Sequence, residues 1–333
     1  MTDTLRWGIL STARINRRFI PPAHQSSRSQ LLAVASRNLD SAKQFAAQWE
    51  IPLTFGRYEA LLAMPEIEAV YIPLPNAMHC EWAVKAAEAG KHILCEKPLA
   101  MTVAEVDTMV RAAEANGVVL LEAVVYQMHP QLAKLKAVLA EGLIGQVKLV
   151  NAWFSITLAS DAANIRLDPA LGGGSGWDLG SYPVSLANAI AGQPPEEVFA
   201  WQQTDPSGTD NMLVGQMRYA NGMMAQINGS FRTAYRVGAQ VVGDQGHIQI
   251  PEPFQPDADQ RSSGLIHIAP DDSQTRLETA VINPYLCQVL AMESCVLDGQ
   301  PSPYPLSQSR INIATMTALY AAAQTGRSQP VEA

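Results

Sequence analysis

Short apolar runs separated by helical segments fill the first third of the chain, and this alternation constrains the fold more than any other feature. Residues 5–10, 31–36, 69–73, 92–95 and 118–121 read as strands. A helical segment begins at Arg14 and is expected to break near Pro21-Pro22. A second opens at Asp40-Ser41 with Asp40 as its cap, a third covers 81–89 and ends at Gly90, and a fourth covers 103–116. Strands alternating with helices predict a parallel sheet with right-handed crossovers. From about residue 123 the pattern turns strand-rich, with runs at 147–156, 197–203, 212–219, 223–231 and 239–250. Asn221-Gly222 is a hairpin turn signal between two of them. Helices over 284–298 and 305–324 close the chain. The expected fold class is α/β followed by α+β, with domains at 1–122 and 123–333. The second domain carries a large, mostly antiparallel, open-faced β-sheet. Helices are expected over one face and a partner subunit over the other, giving a homodimer.

Two domains suit a chain of 333 residues. The net charge of −8 argues against nucleic acid or an anionic membrane as partner. The longest apolar run, 118–125, is interrupted by Glu122 and is too short to span a bilayer. The start lacks a basic segment leading into an apolar one, so a cytoplasmic location is expected. Cys80, Cys95, Cys287 and Cys295 show neither C-x-x-C nor zinc spacing, and none of the six histidines pairs with another at i+4. Reduced thiols and no metal site are expected.

In a βαβ setting the first strand-to-helix turn offers free backbone N–H groups to a phosphate. The dinucleotide fingerprint G-x-G-x-x-G/A is partly kept in Gly8-Ile9-Leu10-Ser11-Thr12-Ala13. The first glycine and the final small residue stand, while Leu10 takes the middle place. On its own the pattern fits a plain tight turn; the surrounding βαβ units favour a nucleotide held by Ser11, Thr12 and Ala13. The second strand ends in Ser36-Arg37-Asn38, where an NAD site would place a carboxylate on the ribose 2′-OH. A hydroxyl and a planar guanidinium suit a 2′-phosphate instead, so NADP is expected in preference to NAD.

Glu96-Lys97-Pro98 follows the strand at 92–95, where open α/β sheets present groups to ligands. An ammonium there can hold a substrate oxygen and bias its proton. Further along, Leu171-Gly172-Gly173-Gly174-Ser175-Gly176 must be a loop, followed by a helix from about Trp177 to Ala191. Asp178 and Tyr182, four apart, share a face of its first turns. A phenol of reference pKa about 10 is a poor base at neutral pH, and a nearby ammonium favours its phenolate. Taken singly, Lys97 reads as a surface lysine, Asp178 as a helix N-terminal charge and Tyr182 as a half-buried aromatic.

Together these segments resemble the glucose–fructose oxidoreductase/inositol dehydrogenase (Gfo/Idh/MocA) family. The matching stretches are residues 7–15; Ala35-Ser36-Arg37-Asn38; Pro73-Leu74-Pro75-Asn76-Ala77-Met78-His79; residues 89–98; Gly172-Gly173-Gly174 through Asp178-Leu179-Gly180-Ser181-Tyr182; and Gly243-Asp244-Gln245-Gly246-His247-Ile248. Tyr182, the stretch 164–169, and Tyr126 followed by His129-Pro130 are most similar to NADP-dependent D-xylose dehydrogenases and dimeric dihydrodiol dehydrogenases. The resemblance implies a Rossmann-type domain followed by a sheet domain, and hydride transfer between NADP and a sugar or cyclic polyol. It implies Lys97 and Tyr182 as catalytic pair with Asp178 in support. It further implies a nucleotide site that includes Gly8, Arg14, Leu74 and His79, with Asn76 and Glu96 near the nicotinamide ribose. Substrate contacts are expected among Tyr126, Gln127, His129, Arg166, Trp177 and Tyr285. Gln127 stands where xylose dehydrogenases carry arginine, which points to a different substrate. A dihydrodiol dehydrogenase and a (nucleotide-)sugar ketoreductase are the alternatives; a non-catalytic nucleotide-binding regulator is the alternative of another class.

Overall fold

A computed structural model describes residues 4–159, 164–258 and 261–333. The first sheet is built from β1 (Leu5–Leu10), β2 (Ser29–Ala35), β3 (Leu53–Phe55), β4 (Ala69–Ile72), β5 (His92–Glu96) and β6 (Leu120–Ala123). Every pairing is parallel and the order is β3-β2-β1-β4-β5-β6. This is the doubly wound order, with its reversal between β1 and β4. The connecting helices are α1 (Asn16–Gln25), α2 (Leu39–Trp49), α3 (Tyr58–Leu62), α4 (His79–Glu88) and α5 (Val103–Ala115). Strands β1, β4 and β6 are buried almost end to end, as parallel strands covered on both faces must be.

Two local expectations are corrected. Helix α1 runs through Pro21 and Pro22 instead of breaking there. Two helical N–H donors are lost, but Phe19, Ile20 and Ala23 are fully buried against the sheet, and that packing holds the helix. Helix α2 is capped by Asn38, not Asp40: its Oδ1 accepts from the N–H groups of Asp40 (2.9 Å) and Ser41 (3.1 Å), so the helix starts at Leu39.

The second sheet has nine strands in the order β14-β13-β12-β11-β7-β10-β9-β8-β15. They are β7 (Val147–Thr157), β8 (Glu197–Thr204), β9 (Asp210–Arg218), β10 (Met224–Ser230), β11 (Arg232–Gly243), β12 (Gly246–Ile250), β13 (Leu265–Ile268), β14 (Gln274–Leu277) and β15 (Gln329–Pro330). All pairings are antiparallel except β7 with β10. The hairpin between β9 and β10 turns at Asn221-Gly222 as expected, with Gly222 at φ 83° and Asn221 Oδ1 accepting from Met223 N–H. The remaining helices are α6 (Pro130–Ala140), α7 (Ser181–Ala191), α8 (Pro284–Leu297) and α9 (Leu306–Thr325). Helix α7 lies on β7 and β10, and Leu319 of α9 meets the backbone of Gly215 in β9, so one face of the sheet is covered.

The chain divides into two compact units, and the division differs from a simple cut at 122/123. The first joins 1–100 and 104–128 to 283–306; the second holds 101–103, 129–282 and 307–333. Helix α8 belongs to the first unit because Val289, Met292 and Cys295 enter the core formed by Leu5, Trp7, Phe19 and Tyr71. A part-buried chain of hydrogen bonds fixes it there: Trp7 Nε1 donates to Ser29 Oγ, and Ser29 donates to Glu293. The nucleotide-type sheet therefore depends on a helix encoded far downstream. Met292→Ala should lower stability by about 2–5 kcal/mol, read from the urea midpoint. A change smaller than about 0.5 kcal/mol, the range of a surface substitution, would contradict that packing.

Candidate active site

In the first unit, the expected nucleotide residues other than Gly8 lie at or just beyond the carboxyl ends of β1, β2, β4 and β5. Gly8 sits within β1 and allows that strand to lie against helix α3, since a Cβ there would come within 2.5 Å of Leu61. Ser11 carries the unusual backbone, with φ 136°, at a place where glycine would be unstrained. Its hydroxyl donates to Pro73 O (3.1 Å) and accepts from Ala13 N–H (3.2 Å), while Asn16 Nδ2 donates to Ser11 O (2.8 Å). Asn16 is a residue the sequence did not single out. Helix α1 follows with Ile15 in the capping position, a side chain without an oxygen to offer the first N–H groups. An anionic ligand fits such an end. At the end of β2, Ser36 is half-buried and Arg37 exposed; Ser36 Oγ accepts from Asn38 N–H at 3.3 Å. A hydroxyl and a guanidinium without a carboxylate at this corner fit a phosphorylated ribose. Thr12, Ala13 and Asn76 are half-buried, Arg14 is exposed and Leu74 is buried.

The Glu96-Lys97-Pro98 turn is pinned from three directions. Tyr71 of β4 donates to Glu96, and Glu122 of β6 accepts from Leu99 N–H at 2.8 Å. His79, fully buried, sets Nδ1 2.8 Å from Pro98 O and Nε2 2.8 Å from Leu74 O. Burial pushes its imidazole below the ordinary value, and the Lys97 ammonium acts in the same direction. His79 thus ties the loop after β4 to the turn after β5 and holds the nucleotide segment indirectly. Lys97 is half-buried on a fixed turn, unlike a loose surface lysine. Tyr71 and Glu122 lie outside the sequence motifs; the one sequence signal for Glu122 is a lone carboxylate in the apolar run of β6. Tyr126 is buried and accepts a hydrogen bond from Gln127 Nε2 (2.9 Å), and Tyr285 lies 5.7 Å beneath the guanidinium of Arg18.

In the second unit, Arg166, Asp178 and Tyr182 form a group of their own. Arg166 Nε donates to Asp178 Oδ2 at 2.6 Å, and the carboxylate raises the guanidinium above its usual range, with Tyr182 adding to the effect. The glycine-rich loop explains the closeness. Gly173 faces Arg166 O, where a Cβ would come within 2.6 Å, and Gly174 N–H donates to that same carbonyl at 2.9 Å. A π turn, Gly176–Gly180, then leads into α7 and presents Asp178 and Tyr182. Gly229 of β10 lets that turn lie flush, since a Cβ there would come within 2.6 Å of Gly180 N. Tyr182 is enclosed by Phe154 (5.5 Å) and Phe254 (5.4 Å).

Two of the expected substrate contacts, His129 and Trp177, also have structural partners. His129 caps α6 by accepting from Gln131 N–H at 3.1 Å, and its Nε2 lies 3.0 Å from Ile282 O and 3.4 Å from Asp257, so both ring nitrogens are engaged inside the fold. The Trp177 ring stacks on Tyr320 at 5.2 Å and is 8% exposed. Among the described residues no cluster of His, Cys, Asp and Glu could hold a metal ion, and no helix is long and apolar enough to cross a membrane.

Residues 5–124 match a family described as "Oxidoreductase family, NAD-binding Rossmann fold", and residues 132–249 match the GFO/IDH/MocA C-terminal domain. The chain belongs to the Gfo/Idh/MocA oxidoreductase family. It is 34% identical to a D-xylose 1-dehydrogenase (NADP+) of Haloferax volcanii, covering 97% of this chain and 98% of that one. It is 33% identical to the trans-1,2-dihydrobenzene-1,2-diol dehydrogenase of Sus scrofa over 75% of each. A 3-ketoreductase of Actinomadura kijaniata, solved with NADP and TDP-benzene, superposes with a TM-score of 0.90 at 27% identity, covering 96% of this chain and 98% of that one. An NAD(P)-binding domain and an oxidoreductase activity follow from that membership.

Ser11 provides a test of the nucleotide turn. Ser11→Ala keeps the strained backbone and removes two hydrogen bonds, so it should cost about 1–3 kcal/mol. Ser11→Gly loses the same bonds but relieves strain of about 1–3 kcal/mol, so its urea midpoint should be the higher of the two. The reverse order would show that the turn is not strained.

Proposed function

We propose that this protein is an NADP-dependent dehydrogenase or reductase acting on a CH–OH group of a sugar or cyclic polyol. The carrying observation is the pinned Glu96-Lys97-Pro98 turn at the carboxyl edge of the nucleotide-type sheet. NADP, when bound, supplies the hydride acceptor, or the donor in its reduced form. Ser11, Thr12, Ala13 and Arg14 would hold its pyrophosphate, Ser36 and Arg37 its 2′-phosphate, and Asn76 and Glu96 the nicotinamide ribose. Tyr182 takes the proton of the substrate hydroxyl, and Lys97 holds that oxygen and favours the phenolate. Asp178, paired with Arg166, orients Tyr182 and a neighbouring substrate hydroxyl. Tyr126, Gln127 and Tyr285 remain the proposed substrate contacts of the first unit. The reverse direction, reduction of a keto sugar, uses the same groups. The similarity to xylose and dihydrodiol dehydrogenases supports this substrate class, and the departure at Gln127 leaves room for a different member of it.

A homodimer through the open face of the second sheet is part of this reading. Trp201 and Met224 are 63% and 56% exposed there, unlike side chains of a solvated sheet. Between the apolar positions runs a row of amides in register across five strands: Gln216, Gln226, Asn151, Gln240 and Gln249. A carboxamide both donates and accepts, so such a row suits its own copy across a two-fold axis. Wild-type protein should sediment as a dimer and Trp201→Glu should shift it toward monomer. A monomeric wild type, or no shift, would count against this face.

The activity is tested by following nicotinamide absorbance with aldoses, keto sugars, inositols and dihydrodiols. Turnover should favour NADP, and Arg37→Ala should raise the KM for NADP about 10- to 100-fold while leaving that for NAD unchanged. Lys97→Ala and Tyr182→Phe should each lower kcat about 10²–10⁴-fold. Tight NADP binding without turnover would favour a nucleotide-binding regulator, and full activity of Lys97→Ala would rule out the assigned pair.

A further inference from the structure

We infer that Asp210, acting with Tyr320 and Ser175, is the positioning group that fixes the turn carrying Asp178 and Tyr182. The inference rests on the proton-transfer role proposed for Tyr182. Asp210 opens β9 and is 5% exposed. Its Oδ2 accepts from Ser175 Oγ (2.6 Å) and from Gly176 N–H (2.8 Å), and its Oδ1 accepts from the Tyr320 hydroxyl (2.6 Å). The Tyr320 oxygen in turn accepts from Trp177 N–H at 3.2 Å, and its ring lies on that of Trp177. One buried carboxylate therefore holds three consecutive residues, Ser175, Gly176 and Trp177, directly ahead of Asp178.

The surrounding backbone is shaped to admit this clamp. A Cβ on Gly174 would lie 2.2 Å from Asp210 Oδ1, and one on Gly176 would lie 2.4 Å from the Tyr320 hydroxyl. Two glycines of the loop thus make room for the carboxylate and the phenol, while Gly173 makes room for the backbone of Arg166. The π turn beginning at Gly176 has its Gly176 carbonyl engaged by Ser181 N–H, a spacing that shifts every later side chain of the helix. Its start is set by Asp210. Burial, with the neighbouring carboxylate adding to it, holds the Tyr320 phenol well above its ordinary value, so it stays a donor to Asp210 through the basic range. A carboxylate is required because all three partners donate; an asparagine keeps one acceptor and turns an N–H₂ toward the other side. The buried charge is offset by these three bonds and by the N-terminal end of the helical segment it faces.

Tyr320→Phe keeps the ring stacked on Trp177 and removes only the hydroxyl, so it is the first variant to compare with wild type; Asp210→Asn is the second. A displaced Tyr182 should lower kcat about 10- to 100-fold with the KM for NADP unchanged, and should move the limb of the kcat–pH profile that reports proton transfer. Asp210→Asn, which keeps an acceptor, should retain more activity than Asp210→Ala. Unchanged kcat and pH profile per folded Tyr320→Phe enzyme would overturn the inference. A wild type that turns over no polyol would instead defeat the proposed function. The clamp is then judged by hydrogen exchange at the Gly176, Trp177 and Asp178 amides. Faster exchange in Tyr320→Phe supports it, and equal exchange overturns it.

Discussion

Burial of a parallel sheet on both faces is the constraint from which the first unit follows. In this unit helix α8 adds to the cover given by the crossovers, burying Val289 and Met292 beside Trp7 and Phe19. With both faces closed, only the strand ends remain for chemistry. The order reversal between β1 and β4 parts the loops there, and the turn after β1, the Ser36-Arg37 corner, the Leu74–His79 segment and the Glu96-Lys97-Pro98 turn all open on that edge. His79 and Glu122 add what a crevice needs beyond location: each bonds a loop to its neighbour, so Lys97 stands on a fixed backbone.

The second unit solves a different problem. One sheet must cover a helix closely enough to aim Asp178 and Tyr182, and still leave its opposite face available. Close approach is achieved by removing side chains: Gly173, Gly174 and Gly176 in the loop and Gly229 in β10 each face an atom that a Cβ would strike. The backbone of Arg166, the carboxylate of Asp210 and the hydroxyl of Tyr320 then occupy the room so made. The sheet's outer face carries exposed Trp201 and Met224 flanking a continuous amide row.

Most of the architecture was legible in the sequence because period and punctuation agree: five apolar runs became parallel strands, Gly90 closed α4, and Asn221-Gly222 made a hairpin. Pro21-Pro22 misled because tertiary packing of Phe19 and Ile20 outweighs the lost donors. The place of α8 was hidden because nothing local records which sheet a helix will cover. Motif residues such as Ser11, Lys97 and Asp178 stood out by type and spacing. Their supports did not: Tyr71, Asp210 and Tyr320 are distant in sequence from what they hold, and Asn16, though near Ser11, reads as an ordinary polar residue at a helix start. His129 caps α6, a role its place directly before Pro130 allows but does not single out in sequence.

The central proposal is direct transfer of hydride between a carbinol carbon and nicotinamide, with Tyr182 and Lys97 proposed to handle only the proton. The most direct measurement uses the preferred polyol or sugar deuterated at the oxidised carbon and follows the label by mass spectrometry. The deuterium should appear in the reduced nicotinamide, with a slowed chemical step and no loss to water. Label released to solvent, or retained on the carbon while product forms, would contradict the mechanism.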